Sequence, residues 1–325
     1  MKRWLIPLKL AVTAGVFGWL LRDFDWKAFF GSFHDVRWPL IALAGLTSLG
    51  GQGLAAAWRW TLLARALGLQ APYPRMQRHF LVGLFFSLFL PGVVGGDAVR
   101  AWMLNRELGG GVLVRAGYSV IADRSNGIFG MAFVAGGVGW LMPQQIPQPW
   151  AMGMALLFAG LTVGWFTAPY LLSGLHRLGN RWIDRFIPPA LLVFWRPEGR
   201  WWTGVGISIL YVFIHAGVLW LVDGAIGLGI PPLFYLFMIP AVALVSSLPI
   251  SIGGHGVREG LVVLTLGWWG VSVETSLAFA ALMLLAFVTP SALGGLLFFL
   301  TRGNLDRKAM EEAMETDGAT PAPAE

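Results

Sequence analysis

Apolar stretches long enough to cross a lipid bilayer dominate this chain, and two of them are interrupted by the same Pro and Gly pattern. A helix needs about 20 apolar residues to cross the hydrocarbon layer. Hydrophobic residues make up 56% of the chain and charged residues 12%, whereas soluble domains carry about 25% charged residues. These features predict an all-α polytopic membrane protein. The uninterrupted candidate spans are 4–21, 38–57, 116–142, 150–172, 203–222 and 275–300.

The two interrupted stretches, 79–104 and 233–268, contain one motif in the same register. "LPGVVGGDAVR" begins at Leu90 and "LPISIGGHGVR" begins at Leu248, so matching residues lie 158 positions apart. Proline cannot continue a helix, and paired glycines let the backbone turn. Each stretch is therefore either a kinked crossing or a helical hairpin that breaks and returns. We predict these structural hinge residues: Pro91, Gly95, Gly96, Pro249, Gly253, Gly254 and Gly256.

The arginines favour the hairpin. Connections 58–78 and 173–202 are rich in Arg, whereas 143–150 has no charge. Lys and Arg concentrate in cytoplasmic loops, and every basic loop is cytoplasmic only if each interrupted stretch re-enters its own side. The predicted fold is thus two inverted repeats, 38–142 and 203–300, each with a broken re-entrant helical hairpin. Both termini are predicted to be cytoplasmic in the plasma (inner) membrane.

The remaining segments complete this predicted topology. Residues 1–37 hold a first span, which we expect to be retained because its apolar run continues to Leu21, and an external loop. Residues 143–202 hold a connecting span and a basic amphipathic segment, 172–187, which would bind the anionic cytoplasmic leaflet. Residues 301–325 are polar and then rich in Pro and Ala, which predicts a disordered cytoplasmic tail.

Arg100 and Arg258 are the main candidates for substrate binding. Each follows the paired glycines by about one helical turn, and a guanidinium at membrane depth rarely faces lipid. Its planar fork suits phosphate, and inverted repeats would bring both groups to the midplane. The alternative is structural pairing, with Asp97 for Arg100 and Glu259 for Arg258. His255 occupies the position of Asp97 in the second motif.

Asp123 and Arg124 are further candidates within "ADRSNGI". Adjacent residues on a helix do not face each other, so each needs a distant partner, and Arg100 is one candidate for Asp123. Arg59 and Arg65 follow or flank Trp residues and are predicted to be interfacial anchors. We predict no metal site, cofactor or catalytic residue, because the chain has no Cys and its five His lack ligand spacing. The full set of predicted substrate-binding residues is Arg100, Arg258, Asp97, Glu259, His255, Asp123 and Arg124.

The segments "LPGVVGGDAVR", "ADRSNGI" and "LPISIGGHGVREG" resemble the membrane region of lysylphosphatidylglycerol synthases, which also occurs as a stand-alone flippase-like family with a hopanoid-associated type. The resemblance covers about 38–300. The resemblance implies only the flippase function of the bifunctional relatives. Those relatives carry a soluble aminoacyltransferase domain after the membrane region, whereas 25 residues follow the last predicted span in this sequence. We therefore expect no enzyme activity. Its motif residues are Pro91, Gly95, Gly96, Asp97, Arg100, Asp123, Arg124, Pro249, Gly253, Gly254, Gly256, Arg258 and Glu259.

The expected function is a lipid flippase that moves a phosphate-bearing headgroup of a phospholipid, or of a polyprenyl- or hopanoid-type lipid. One alternative is a membrane-embedded transferase that uses a lipid-phosphate donor, with Asp97, Asp123 or Glu259 as the general base. Another is an assembly factor that binds lipid-biosynthesis enzymes through its cytoplasmic loops. A nucleic-acid partner is not expected, because the basic residues lie in short loops between apolar runs.

Overall fold

The computed structural model describes residues 24–89, 94–177, 188–247 and 256–317, with side chains up to residue 300, and three single residues before these ranges. Within these ranges the chain is helical and contains no strand. All but two residues of the predicted span 4–21, and the motif residues Pro91, Pro249, Gly253, Gly254 and His255, lie outside the described residues.

The helices are given in chain order. They are α1 Trp26–Gly31, α2 Trp38–Ala66, α3 Tyr73–Phe89, α4 Val94–Glu107, α5 Leu113–Leu141, α6 Gln148–Arg177, α7 Trp201–Ile226, α8 Pro232–Ser246, α9 Val257–Gly267 and α10 Val273–Asp317. Two short 3₁₀ segments, Pro189–Trp195 and Pro197–Gly199, precede α7.

Four stretches of the described chain are long and apolar enough to cross a membrane. They are Trp38–Ala66, Gln148–Arg177, Pro197–Ile226 and Val273–Leu300. Each overlaps a span predicted from the sequence. Helix α5 has a similar length of 29 residues, but Asp123, Arg124 and Asn126 interrupt its apolar run.

Helices α3 and α4 form an antiparallel pair around the first motif. Arg75 near the start of α3 contacts Glu107 at the end of α4, and Gly83 meets Gly96 near the other end. A methyl group on Gly83 would lie 2.9 Å from the Gly96 carbonyl oxygen. Gly96 was predicted to be a hinge, but with Gly95 it lies in the first turn of α4, and it allows close contact between the two backbones.

Helices α8 and α9 form the corresponding pair around the second motif. Phe234, at the start of α8, contacts Trp268 and Trp269, just after α9, with ring centroids 6.3 and 5.4 Å apart. Gly256 immediately precedes α9 with φ of 81°, a left-handed conformation that glycine adopts without strain. Its role as a hinge stays a prediction.

We call the predicted repeats 38–142 and 203–300 the two halves of the chain. The last helix of each half packs against helices of the other half. Helix α5 packs on α7 and α8, whereas α10 packs on α2 and α3, and α2 contacts α7 directly. Small residues allow these approaches. A methyl group on Gly45 would lie 2.7 Å from Thr289 Oγ1, and one on Gly130 would lie 2.5 Å from Ser208 Cβ. Thus α5 contacts the first two helices of the second half, and α10 contacts the first two helices of the first half.

Several predicted boundaries differ from the structure. The predicted connection 58–78 is largely helical, because α2 runs to Ala66 and α3 begins at Tyr73. Helix α6 runs to Arg177, so 172–177 continues it, and 178–187 of the predicted amphipathic segment lies outside the described residues. The backbone of α10 continues to Asp317, whereas a disordered tail was predicted from 301. The sequence "RKAMEEAME" consists of strong helix formers, which explains the extension.

Helix α2 contains a π-helical segment, Leu49–Ala56, which the predicted span 38–57 did not distinguish. Its sequence "LGGQGLAA" contains three glycines. A methyl group on Gly51 would lie 2.9 Å from His215 Nδ1, so α2 and α7 are in close contact at this point. Wide turns of this type occur frequently at functional sites.

Asp223 stabilises the turn between α7 and α8. Its buried carboxylate accepts hydrogen bonds from the amides of Gly229 and Ile230, both at 2.9 Å, and from the Tyr235 hydroxyl at 2.7 Å. Asp223→Ala leaves buried donors without partners, so we expect a loss of about 1–3 kcal/mol in the free energy of unfolding. Denaturant unfolding in detergent measures it. Asp35→Ala, at an exposed position, is the control, and equal stability of both variants would contradict this role.

Candidate functional site: a charged cavity between the two halves

A cavity of about 560 Å³ lies where the two helix pairs meet α2, α5, α7 and α10. Ser87 at the end of α3 and Ser246 at the end of α8 both line it, as do residues at the starts of α4 and α9. Its remaining wall is largely apolar and includes Ile239, Val242 and Phe287. The charged residues that line it are Arg59, Asp97, Arg100, Asp123, Arg124 and Arg258.

Asp123 is the buried centre of the charges. Its Oδ1 accepts a hydrogen bond from Arg59 Nε at 2.7 Å, and its Oδ2 accepts one from Arg100 Nη1 at 3.0 Å. A buried carboxylate is tolerated when it is paired and hydrogen-bonded in this way. The pairing of Asp123 with Arg100, one of the alternatives from the sequence, is therefore present.

Asp97 joins the same network from α4. It accepts hydrogen bonds from Arg100 at 3.0 Å, and from Arg124 at 2.8 Å through Nε and 3.2 Å through Nη2. We call Arg59, Asp97, Arg100, Asp123 and Arg124 the arginine–aspartate cluster. Its three guanidinium groups face two carboxylates, which leaves one net positive charge beside the cavity.

The arginines differ in their access to the cavity. The exposed fraction of the side chain is 48% for Arg124 and 22% for Arg258, against 8% for Arg59 and 4% for Arg100. Arg100 is also covered by the Trp60 ring, 4.8 Å from its guanidinium carbon. A ligand in the cavity thus has access to Arg124 and Arg258 before it reaches Arg100, which was the candidate from the first motif.

Arg59 lies in the cluster and not at an interface, in contrast to its predicted role as an anchor. Besides Asp123, it donates a hydrogen bond from Nη1 to Ser208 Oγ at 2.9 Å. Ser208 in turn donates to Asn126 Oδ1 at 2.9 Å. These contacts join α2, α5 and α7. The flanking tryptophans suggested an interface, but Trp60 is fully buried and only Trp58 is exposed.

The second motif contributes a smaller ion pair. Glu259 Oε1 accepts hydrogen bonds from Arg258 at 3.0 and 2.6 Å, and its Oε2 accepts the Gly256 amide at 2.6 Å. Glu259 therefore caps α9 and pairs with Arg258. The positions 158 residues after Asp123 and Arg124 are Ala281 and Leu282, so the Asp–Arg pair of α5 is not repeated at the corresponding positions of α10.

Polar groups from α2 and α7 complete the wall. His215 Nδ1 lies 2.9 Å from the Tyr211 carbonyl oxygen, and because a carbonyl only accepts, Nδ1 carries the proton. The Tyr211 and His215 rings are stacked with centroids 3.9 Å apart. Gln52, from the π segment, also lines the cavity. Motif reasoning did not identify these residues, because none of them lies in a motif.

A model of the family described as the lysylphosphatidylglycerol synthase TM region matches residues 6–298. The chain belongs to this family. The match confirms the resemblance seen in the motifs and extends it toward the N-terminus, beyond the start at residue 38 that the motifs indicated. No curated protein matches the chain.

In this member of the lysylphosphatidylglycerol synthase TM region family, the apolar helices indicate a multi-pass membrane protein. Its cavity brings together five predicted site residues, and Glu259 lies next to it as the partner of Arg258. His255 lies outside the described residues. The five that line the cavity are Asp97, Arg100, Asp123, Arg124 and Arg258.

Proposed function

We propose that the protein is a lipid flippase that moves an anionic, phosphate-bearing headgroup across the membrane through the cavity between its halves. The observation that supports this most directly is the combination of Arg124 and Arg258, from different predicted repeats, at one cavity that also has an apolar wall of residues such as Ile239, Val242 and Phe287. An amphiphile presents the same two chemistries. The volume of about 560 Å³ falls in the usual range of small-molecule sites, about 300–1,000 Å³.

The phosphate binds Arg124 and Arg258 in this proposal. Arg124 donates hydrogen bonds from two nitrogens to the Asp97 carboxylate. A phosphate can take the place of this carboxylate, so the guanidinium group stays paired with an anion. Planar bidentate contacts of this type suit both carboxylate and phosphate. Arg59 and Arg100 hold Asp123 and keep the cluster in place.

The proposal includes inverted repeats with re-entrant hairpins. Three observations support it: the shared motif, the two antiparallel helix pairs around it, and the exchanged packing of α5 and α10. Helices interrupted by Pro and Gly in corresponding positions of two halves are typical of transporter sites at the bilayer midplane. Hairpins entering from opposite sides would place both motifs beside the cavity.

The basic connections set the proposed orientation. Arg65 at the end of α2 and Arg75 at the start of α3 flank the turn between these helices, which we place on the cytoplasmic side together with both termini, in the inner membrane. There the basic segments contact the anionic leaflet. Enzymes that make or use the transported lipid are the proposed protein partners. The lipid is a phospholipid or a polyprenyl- or hopanoid-type lipid.

The transferase alternative is less well supported. A general base needs a carboxylate free to accept a proton from the acceptor. Asp97, Asp123 and Glu259 are each paired with arginine.

Transport assays on single variants test the proposal. Arg124→Gln and Arg258→Gln each remove a charge-assisted contact to phosphate worth about 1.5–3 kcal/mol, so each should slow translocation roughly tenfold to hundredfold. The assay follows headgroup-labelled phosphatidylglycerol, and then labelled polyprenyl phosphate, in vesicles containing the purified protein. Arg177→Gln, at the end of α6 and outside the cavity, is the matched control.

The proposal predicts fast transport of at least one probe by the wild type and by Arg177→Gln, with loss in both cavity variants. Unchanged rates in folded Arg124→Gln and Arg258→Gln, or no transport of either probe by the wild type, would contradict it.

A further inference from the structure

An apolar groove of about 490 Å³ lies along α2 and α7, separate from the charged cavity. Leu54, Trp58 and Leu210 are each more than half exposed there, so the groove opens to the surroundings of the two helices, both of which are candidate membrane spans. Its lining residues are Gly50, Leu54, Ala55, Trp58, Tyr73, Leu210 and Ile214.

The groove and the cavity share one wall. On α2, Gln52 lines the cavity and Leu54 lines the groove; on α7, His215 lines the cavity and Ile214 lines the groove. The wall is therefore only one layer of helices thick. The face toward the cavity carries polar side chains, and the face toward the groove carries apolar side chains.

The π segment forms the α2 part of this wall. Its Gly51 is in contact with His215, whereas a methyl group on Gly50 would meet nothing within 4 Å. The missing side chain at Gly50 thus leaves space in the groove itself. At the other end, the Tyr73 hydroxyl donates to the Leu54 carbonyl at 3.1 Å and fixes the start of α3 beside the π segment.

Given the transport function proposed above, we propose that the groove binds a hydrocarbon chain of the lipid whose headgroup enters the cavity. An amphiphile needs adjoining apolar and cationic sites, and the two faces of this wall supply them. Trp58 and Tyr73 lie at one end, and such residues prefer headgroup depth. Near this end lie Arg65, Arg75 and Arg78, of which Arg75 and Arg78 share the single carboxylate of Glu107, so the net positive charge complements an anionic headgroup.

The groove therefore selects the leaflet from which the lipid is taken. It lies toward the 58–78 connection, which is cytoplasmic in the proposed topology. The chain is held in the cytoplasmic leaflet before the headgroup enters the cavity.

Photolabelling of the wild-type protein tests the site without any substitution. The probe is phosphatidylglycerol with a diazirine in its acyl chain, in phosphatidylcholine vesicles. We expect labelling of peptides containing 50–58 and 210–214 to exceed that of the exposed α6 residues Leu156 and Phe166 at least severalfold. Unlabelled phosphatidylglycerol should remove the excess and added phosphatidylcholine should not. Equal labelling of both surfaces, or equal competition by both lipids, would overturn the inference.

A matched pair of variants tests the link to transport. Gly50→Phe fills the groove, and Gly217→Phe places the same ring at another helical glycine with nothing within 4 Å, on α7 and outside both cavities. We expect Gly50→Phe to remove the excess labelling and to slow phosphatidylglycerol transport about tenfold, with Gly217→Phe like the wild type.

The comparison with Arg124→Gln keeps the two proposals distinct. If Arg124→Gln stops transport while Gly50→Phe changes neither labelling nor transport, the chain site is wrong and the flippase function stands. If the wild type moves no lipid, the function is wrong, and the headgroup-dependent labelling still decides whether the groove is a lipid site.

Discussion

Asp123→Asn should lower the free energy of unfolding by about 3–5 kcal/mol, the largest effect that we expect from one substitution. Asn keeps the shape of Asp but removes the charge that compensates Arg59 and Arg100. Removing one partner of a buried ion pair typically has this cost, because the remaining charge is uncompensated. Since native proteins are stable by only about 5–15 kcal/mol, the variant should express poorly and unfold at a markedly lower denaturant concentration in detergent.

A second substitution separates charge from packing. In Asp123→Asn/Arg59→Met, the guanidinium group of Arg59, which has no second carboxylate partner among the described residues, is removed, whereas Arg100 keeps Asp97, so part of the lost stability should return. Arg75→Met, which lies outside the cluster, should give no such recovery in the same background. A double variant no more stable than Asp123→Asn would contradict the view that uncompensated charge causes the loss.

Gly96→Leu should also be strongly destabilising. A side chain on Gly96 would clash with the Gly83 carbonyl and with Ser87 Oγ, so α3 and α4 would have to separate. Overpacking typically costs about 1–3 kcal/mol, and we expect at least the upper end, because the Gly83 backbone cannot rotate away. Thermal unfolding in detergent and the transport rate should both fall.

Gly137→Leu is the control for this prediction. It places the same side chain at a helical glycine of α5 with nothing within 4 Å, where Leu improves helix propensity by up to about 1 kcal/mol. If Gly96→Leu were as stable and as active as Gly137→Leu, the close contact between α3 and α4 would have no structural importance.

Local signals in the sequence predict breaks in the two interrupted stretches. Proline and glycine act on their own backbone, so this prediction at Pro91 and Pro249 needs no knowledge of the tertiary structure, and both prolines lie outside the described residues. The partner of Asp123 was also predictable, because a buried carboxylate needs a cation and Arg100 was available nearby.

Tertiary contacts determined what the sequence did not predict. Arg59 pairs with Asp123 across 64 positions, and the pairing depends on the rotation of α2 about its axis. The role of Gly96 depends on the approach of α3, which no motif records. The contact of Gly51 in the π segment with His215 likewise joins residues 164 positions apart.

The two halves share a motif and packing but differ in charge. Asp97 and Asp123 pair with Arg100 in the first predicted repeat, whereas among the described residues Glu259 pairs with Arg258 in the second. The first half thus provides a fixed, buried cluster and the second a more accessible arginine. This difference is consistent with one headgroup site made from two unequal parts.

Single-cysteine labelling tests the proposed architecture most directly, because the natural chain has no Cys and each introduced thiol is the only one. Cysteines replace exposed residues at the ends of the two helix pairs and at one connecting loop, and a membrane-impermeant maleimide is added to intact cells and then to permeabilised cells. The account predicts that Gln144, Leu233 and Ser272 are labelled in intact cells, and that Gln70 and Leu113 are labelled only after permeabilisation. A helix pair whose two ends are labelled from opposite sides, Gln70 against Leu113 or Leu233 against Ser272, would contradict it.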